Sequence, residues 1–172
     1  MPPRVVLVGL PGTGKSSVGA ELARRLGVPF ADTDELVTRQ TGRSVAEIFE
    51  RQGEAAFREL EADLIAEALA GFGGVLALGG GAVTTGAVRA DLAASGVPVV
   101  LLTAGQDELL NRLAPAEPRP LLAGNASDRL AELAAARGGW YAEVATVSID
   151  TGGRSVTEVA DLLHRQLIGQ AR

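Results

Sequence analysis

Cysteine is absent from the 172 residues, which excludes a disulfide framework, a thiol nucleophile and any thiolate metal site. Lysine is almost absent: of 16 basic residues only Lys15 is a lysine. The Asn-Lys-x-Asp base-reading motif of a regulatory GTPase therefore cannot be written anywhere in this chain. No apolar run approaches the ~18 residues of a membrane span, and Met1-Pro2-Pro3-Arg4 leads straight into a strand-like segment rather than a signal peptide. A soluble, cytoplasmic protein with no membrane partner is expected. The formal net charge of -5 lacks the basic excess that phosphate-backbone binding needs, so no nucleic-acid partner is expected either. Aromatic residues are 3% of the chain; Phe49 and Phe57 are read as core, and the lone His164, on the last helix, as surface or packing.

What is present is 47% hydrophobic and 22% charged sequence, enough for one sizeable core. A single domain over 1–172 and a monomer are expected. Strand-length apolar runs alternate with helical periodicity: 5–8 then 17–26, 29–31 then three short helical stretches through Leu69, and 75–78 then 85–94. The alternation continues with 97–102, then 107–113 and 128–136, and closes with 146–149 and 156–168. Strands apolar on both faces and separated by helices imply a parallel sheet covered on both sides, a three-layer α/β/α domain of about five strands. Ser44-Val45-Ala46-Glu47 and Ser155-Val156-Thr157-Glu158 have capping-box spacing and mark two helix starts. Ala114 to Pro120 holds three prolines in seven residues and reads as a loop.

Between the first strand and the first helix lies Gly9-Leu10-Pro11-Gly12-Thr13-Gly14-Lys15-Ser16, a match to G-x-x-x-x-G-K-[ST]. Its glycines let the backbone curl with amides turned inward, and these join the N-terminus of the following helix in a positive concavity for phosphate oxygens. Gly12, Thr13, Gly14, Lys15, Ser16 and Ser17 are the expected nucleotide-binding residues, with Lys15 reaching the β- and γ-phosphates and the Ser16 hydroxyl placed to ligate Mg²⁺. A motor or remodelling ATPase would close a later strand with an acid, yet Val75-Leu76-Ala77-Leu78 runs into Gly79-Gly80-Gly81. Asp32, opening Asp32-Thr33-Asp34, is chosen for the metal shell over Asp150, its alternative reading being a turn or helix-cap aspartate.

A phosphoryl acceptor needs a carboxylate to orient its hydroxyl, and Asp34 is the candidate. Arg58 adjoins the apolar stripe Phe57, Leu60, Leu64; its planar fork could hold a substrate carboxylate, or it could pair within its own helix with Glu54 or Glu61. Gly79-Gly80-Gly81-Ala82 is either a close backbone approach to ligand or a tight exit turn. The loop over 113–125 suits a lid that brings Arg119 to the γ-phosphate on closure.

Together Gly9 to Ser16, Asp32-Thr33-Asp34, Arg58, Gly79-Gly80-Gly81-Ala82, Arg119-Pro120-Leu121-Leu122 and Arg137 followed by Trp140-Tyr141 resemble the shikimate kinase family over almost the whole chain. The resemblance implies a nucleoside monophosphate kinase-like fold with strand order 2-3-1-4-5. It also implies transfer of the γ-phosphoryl of ATP to the 3-hydroxyl of shikimate, within aromatic amino-acid biosynthesis. Carried over by residue, Lys15 and Arg119 hold the transferring phosphoryl, Ser16 ligates Mg²⁺ and Asp32 acts on it through water. Asp34 binds the acceptor hydroxyls from an acceptor-binding helical region over about 33–62, and Arg58 and Arg137 hold the acceptor carboxylate. Gly79, Gly80 and Gly81 contact the ring, and Arg112 and Arg154 lie with the adenine. Three positions depart from the family: Ser17 replaces a common threonine, Gly138-Gly139 replaces a proline-containing version and suggests a looser helix end, and the segment 149–153 lacks a proline.

Overall fold

The computed structural model describes residues 1–114 and 125–170. Five parallel strands form one sheet: β1 (Val5–Val8), β2 (Phe30–Asp32), β3 (Val75–Ala77), β4 (Val99–Thr103) and β5 (Val147–Asp150), in the order β2-β3-β1-β4-β5. Register is continuous across the sheet, with Val5 beside Val75, Val6 beside Val99, Phe30 beside Val75 and Val100 beside Val147.

The two-residue period of β1 explains the layering. Val6 and Val8 face one side with Leu76, Leu78 and Val99, beneath Ile65, Leu69, Val88, Leu92, Tyr141 and Val144. Val5 and Leu7 face the other with Val75, Val100 and Leu102, beneath Val18, Leu22, Val159 and Leu163. Helices α1 (Lys15–Leu26) and α7 (Val156–Gln170) therefore cover one face, where Arg25 of α1 pairs with Asp161 of α7. The other face is covered by α3 (Val45–Gly71), α4 (Gly86–Ser95) and α6 (Ala126–Val144). A third cluster, Val37, Ile48, Phe57 and Leu64, joins α2 (Thr33–Thr41) to α3.

The chain leaves β1 to one side for β2 and β3 and reaches the other side with β4 and β5, so the carboxyl end of β1 is a topological switch point, where open α/β sheets bind ligands. Both expected capping boxes form: Glu47 N donates to Ser44 Oγ at 3.2 Å and Glu158 N to Ser155 Oγ at 3.2 Å, while each glutamate accepts from the serine amide in return.

Two expectations need correction. The helix expected over 128–136 runs from Ala126 to Val144, straight through Gly138 and Gly139, because buried residues Arg137, Tyr141 and Val144 beyond the glycines hold its last turns to the core. The three short helical stretches before Leu69 are α2 and the two limbs of α3, which meet at Gly53 (φ 84, ψ 169), but the last limb is long. Among the described residues no helix is long and apolar enough to cross a membrane.

Candidate active site

The phosphate loop connects β1 to α1 and opens on a cleft of about 560 Å³. Gly12, Thr13, Gly14, Lys15, Ser16, Ser17, Asp32, Asp34, Gly79, Arg112, Thr151 and Arg154 all line it. The loop is held in shape by its own polar groups. Buried Thr13 donates through Oγ1 to the Leu10 carbonyl at 2.9 Å, and Lys15 Nζ donates to the carbonyls of Gly9 at 2.8 Å and Leu10 at 3.0 Å.

Asp32 is the helix cap of its alternative sequence reading, and it also lies against the serine of the phosphate loop. One oxygen accepts from Ser16 Oγ at 2.5 Å, and the other accepts from the Asp34 amide at 3.0 Å and so caps α2. A hydroxyl and a carboxylate converge beside the phosphate cradle, which fits a hard cation that takes its remaining oxygen ligands from phosphate and water. Among the described residues no cluster of three acidic or imidazole side chains could hold a metal without such help.

Arg112, on α5 (Gln106–Leu113), is fixed at the opposite wall. Its guanidinium donates to the Gly12 carbonyl at 3.2 Å, to Thr151 Oγ1 at 3.0 Å and to the Thr151 carbonyl at 3.1 Å, and it pairs with Glu108. The other Glu108 oxygen accepts from the Gly153 amide at 3.3 Å, so this one carboxylate joins α5 to the turn after β5. Arg154 stands exposed on the rim.

The acceptor-side residues converge on the glycine loop after β3. The Gly79 amide donates to buried Thr33 Oγ1 at 2.8 Å, which ties that loop to the start of α2. A Cβ at Gly79 would stand 2.6 Å from Glu61 Oε1 and 2.8 Å from Asp34 Oδ1, so both carboxylates face this turn. A Cβ at Gly81 would overlap the Arg58 guanidinium, and a Cβ at Gly80 would press on Pro11 of the phosphate loop at 3.1 Å. The glycines are thus required by close approach, and the approach brings the two halves of the site together.

Arg58 makes both intrahelical pairs named as alternatives, to Glu61 at 2.6 Å and to Glu54 at 3.3 Å, and lies over the rings of Phe57 and Phe49 at 5.1 and 5.9 Å. These pairs do not remove it from the site, since its fork still lies against Gly81. Arg137 is buried beside Tyr141, whose hydroxyl donates to the Gly80 carbonyl. Burial pushes the Glu61 carboxyl up to about 7; Arg58 opposes the shift, Asp34 adds to it and Arg137 opposes it. Burial likewise raises the Tyr141 phenol, against the pull of Arg137 and Arg58.

Sequence reading missed Glu61 as a site residue, seeing only a helical partner, although its spacing three residues beyond Arg58 was a usable signal. It also gave no role to the Thr33 hydroxyl or to Glu108. Arg119 and most of the expected lid lie outside the described residues. The other predicted residues are brought to one cleft and its adjoining glycine turn, while Asp150, which is not among the residues lining that cleft, accepts from the Gly152 amide at 2.9 Å.

Comparison with known proteins finds relatives that match most of the chain. The family model described as shikimate kinase matches residues 11–167. A shikimate kinase of Mycobacterium tuberculosis is 47% identical over 156 residues, covering 90% of this chain and 88% of that protein. One from Frankia casuarinae is 51% identical over 163 residues, covering 95% and 72%. The solved shikimate kinase from Acinetobacter baumannii in complex with shikimate superposes with a TM-score of 0.93 at 34% identity, covering 99% of this chain and 94% of that one.

Proposed function

The chain belongs to the shikimate kinase family and is an ATP-dependent shikimate kinase, and from that premise we propose how its residues divide the transfer of the γ-phosphoryl to the 3-hydroxyl of shikimate. The observation that carries the division is the position of Asp34, which lines the phosphate cleft and faces the Gly79 turn, within the charge cluster of Glu61, Arg58 and Arg137.

On this reading the amides of Gly12, Thr13, Gly14, Lys15, Ser16 and Ser17 cradle the phosphates, and Lys15 exchanges its loop carbonyls for the β- and γ-phosphate oxygens. Arg112 and Arg154 bound the adenine end, and Arg119 joins Lys15 at the transferring group. Ser16 would ligate Mg²⁺ directly and Asp32 through water. When bound, the cation neutralises charge on the β- and γ-oxygens. Asp34 orients the acceptor hydroxyl and receives its proton, while Arg58 and Arg137 hold the carboxylate and Gly79, Gly80 and Gly81 line the ring. Product ADP and shikimate 3-phosphate follow from in-line displacement. We also propose that the protein works as a cytoplasmic monomer.

The test is a coupled ADP-release assay with shikimate, and with gluconate and AMP as control acceptors. Arg58→Ala should raise the KM for shikimate roughly 10- to 100-fold, the scale of one lost charge-assisted pair. Asp34→Asn should lower kcat about 100-fold or more while ATP titration stays unchanged. Wild-type shikimate kinetics in both variants would overturn the division of roles.

A further inference from the structure

The geometry points to Tyr141 as a positioning residue for the acceptor, one that aims the Gly80–Gly81 backbone and Arg137 at the shikimate carboxylate. It rests on the assignment of Arg137 and the glycine turn to the acceptor side.

Tyr141 lies one helical turn beyond Arg137 on α6, so both side chains fall on the same face. Both are buried, with 4% and 3% of their surface exposed, although neither belongs to the phosphate loop. The phenol hydroxyl donates to the Gly80 carbonyl, 61 residues away in sequence. Peptide planes are rigid, so fixing that carbonyl also fixes the direction of the Gly81 amide that shares its plane. Tyr141 and Arg137 interact as well, the guanidinium standing beside the phenol oxygen. One hydroxyl thus relates two acceptor-binding groups that arise from different elements.

The neighbouring residue reinforces the tether. Arg89 of α4 lies over the Trp140 ring at 5.0 Å and donates to the Val83 carbonyl at 2.7 Å, in the short 3-10 turn η1 (Ala82–Thr84) that follows the glycine loop. Trp140 and Tyr141 therefore grip both ends of the Gly80–Thr84 stretch, one through a cation and the other through a hydrogen bond. Tyr141 is the member next to the substrate groups and needs only its hydroxyl for the task.

Tyr141→Phe keeps the packed ring and deletes that donor. The expected result is a three- to ten-fold rise in the KM for shikimate, with kcat within about twofold of wild type and the KM for ATP unchanged. Arg137→Ala, measured alongside, separates the two levels of the argument. If Arg137→Ala raises the shikimate KM and Tyr141→Phe does not, the positioning role is overturned while the acceptor assignment stands. If Arg137→Ala also leaves it unchanged, the acceptor assignment itself has failed. A Tyr141→Phe protein that loses thermal stability and shows equal losses in both KM values would mark Tyr141 as structural only and overturn the inference.

Discussion

Glu61 lies 1% exposed, with one carboxylate oxygen on Arg58 at 2.6 Å and the other, Oε1, without a hydrogen-bond donor among the described residues. A buried carboxylate so incompletely satisfied resists ionisation, and its pKa rises from 4.5 to about 7 despite the adjacent guanidinium. Because the folded state holds this proton more tightly than the unfolded chain, the stabilisation is complete below about 4.5 and is lost as pH climbs through about 7. Urea unfolding of the wild type should therefore show stability declining between those values, and Glu61→Gln should flatten the decline. A slope identical in both proteins would show that another group titrates. Glu47 and Glu158 shift downward through their serine amides, so their contribution disappears only toward more acidic pH, outside this window. Sequence spacing identified the Arg58–Glu61 pair but not its burial, because the Gly79 turn, Asp34 and Arg137 that gather around Glu61 come from other segments of the chain. The phosphate loop was legible for the opposite reason: cradle, lysine and serine are local, and backbone geometry alone assembles them.

At the level of elements, β1 and β3 were readable because strands buried on both faces carry uninterrupted apolar runs, and both are buried at every position. The margins were readable only approximately, since β2 and β5 are half-covered and their ends shift by a residue. Helix α6 illustrates what local propensity omits. Gly138 and Gly139 argue for a helix end, and the tethers formed by Arg137, Trp140 and Tyr141 override them. A Cβ on either glycine would meet nothing within 4 Å among the described residues. Gly138→Ala with Gly139→Ala should accordingly stabilise the protein by about 1–2 kcal/mol in total, chiefly by restricting the unfolded chain. Calorimetry should register a rise of about 2–8 °C. A lower melting temperature would mean that the helix there needs the freedom of glycine. Gly53 is the contrasting case: its φ of 84 and ψ of 169 redirect α3 so that Ile48 on one limb and Phe57 on the other meet the same cluster.

For the molecule as a whole, the two ligand-binding halves are built on one sheet and abut where Pro11 approaches Gly80. We propose that 1–172 behaves as one cooperative domain, and ligand linkage tests this. ATP or shikimate at a hundred times its dissociation constant should add about 2.7 kcal/mol, moving a single melting transition upward by about 5–11 °C. Two separable transitions, with each ligand shifting a different one, would divide the chain into two units. The strand order has a second consequence, for behaviour in concentrated solution. The sheet is bounded by β2, three residues long, and β5, four residues long. Rims this brief offer a neighbouring molecule few unpaired amides and carbonyls to extend, so the fold itself discourages the strand-by-strand lateral growth from which fibrils begin.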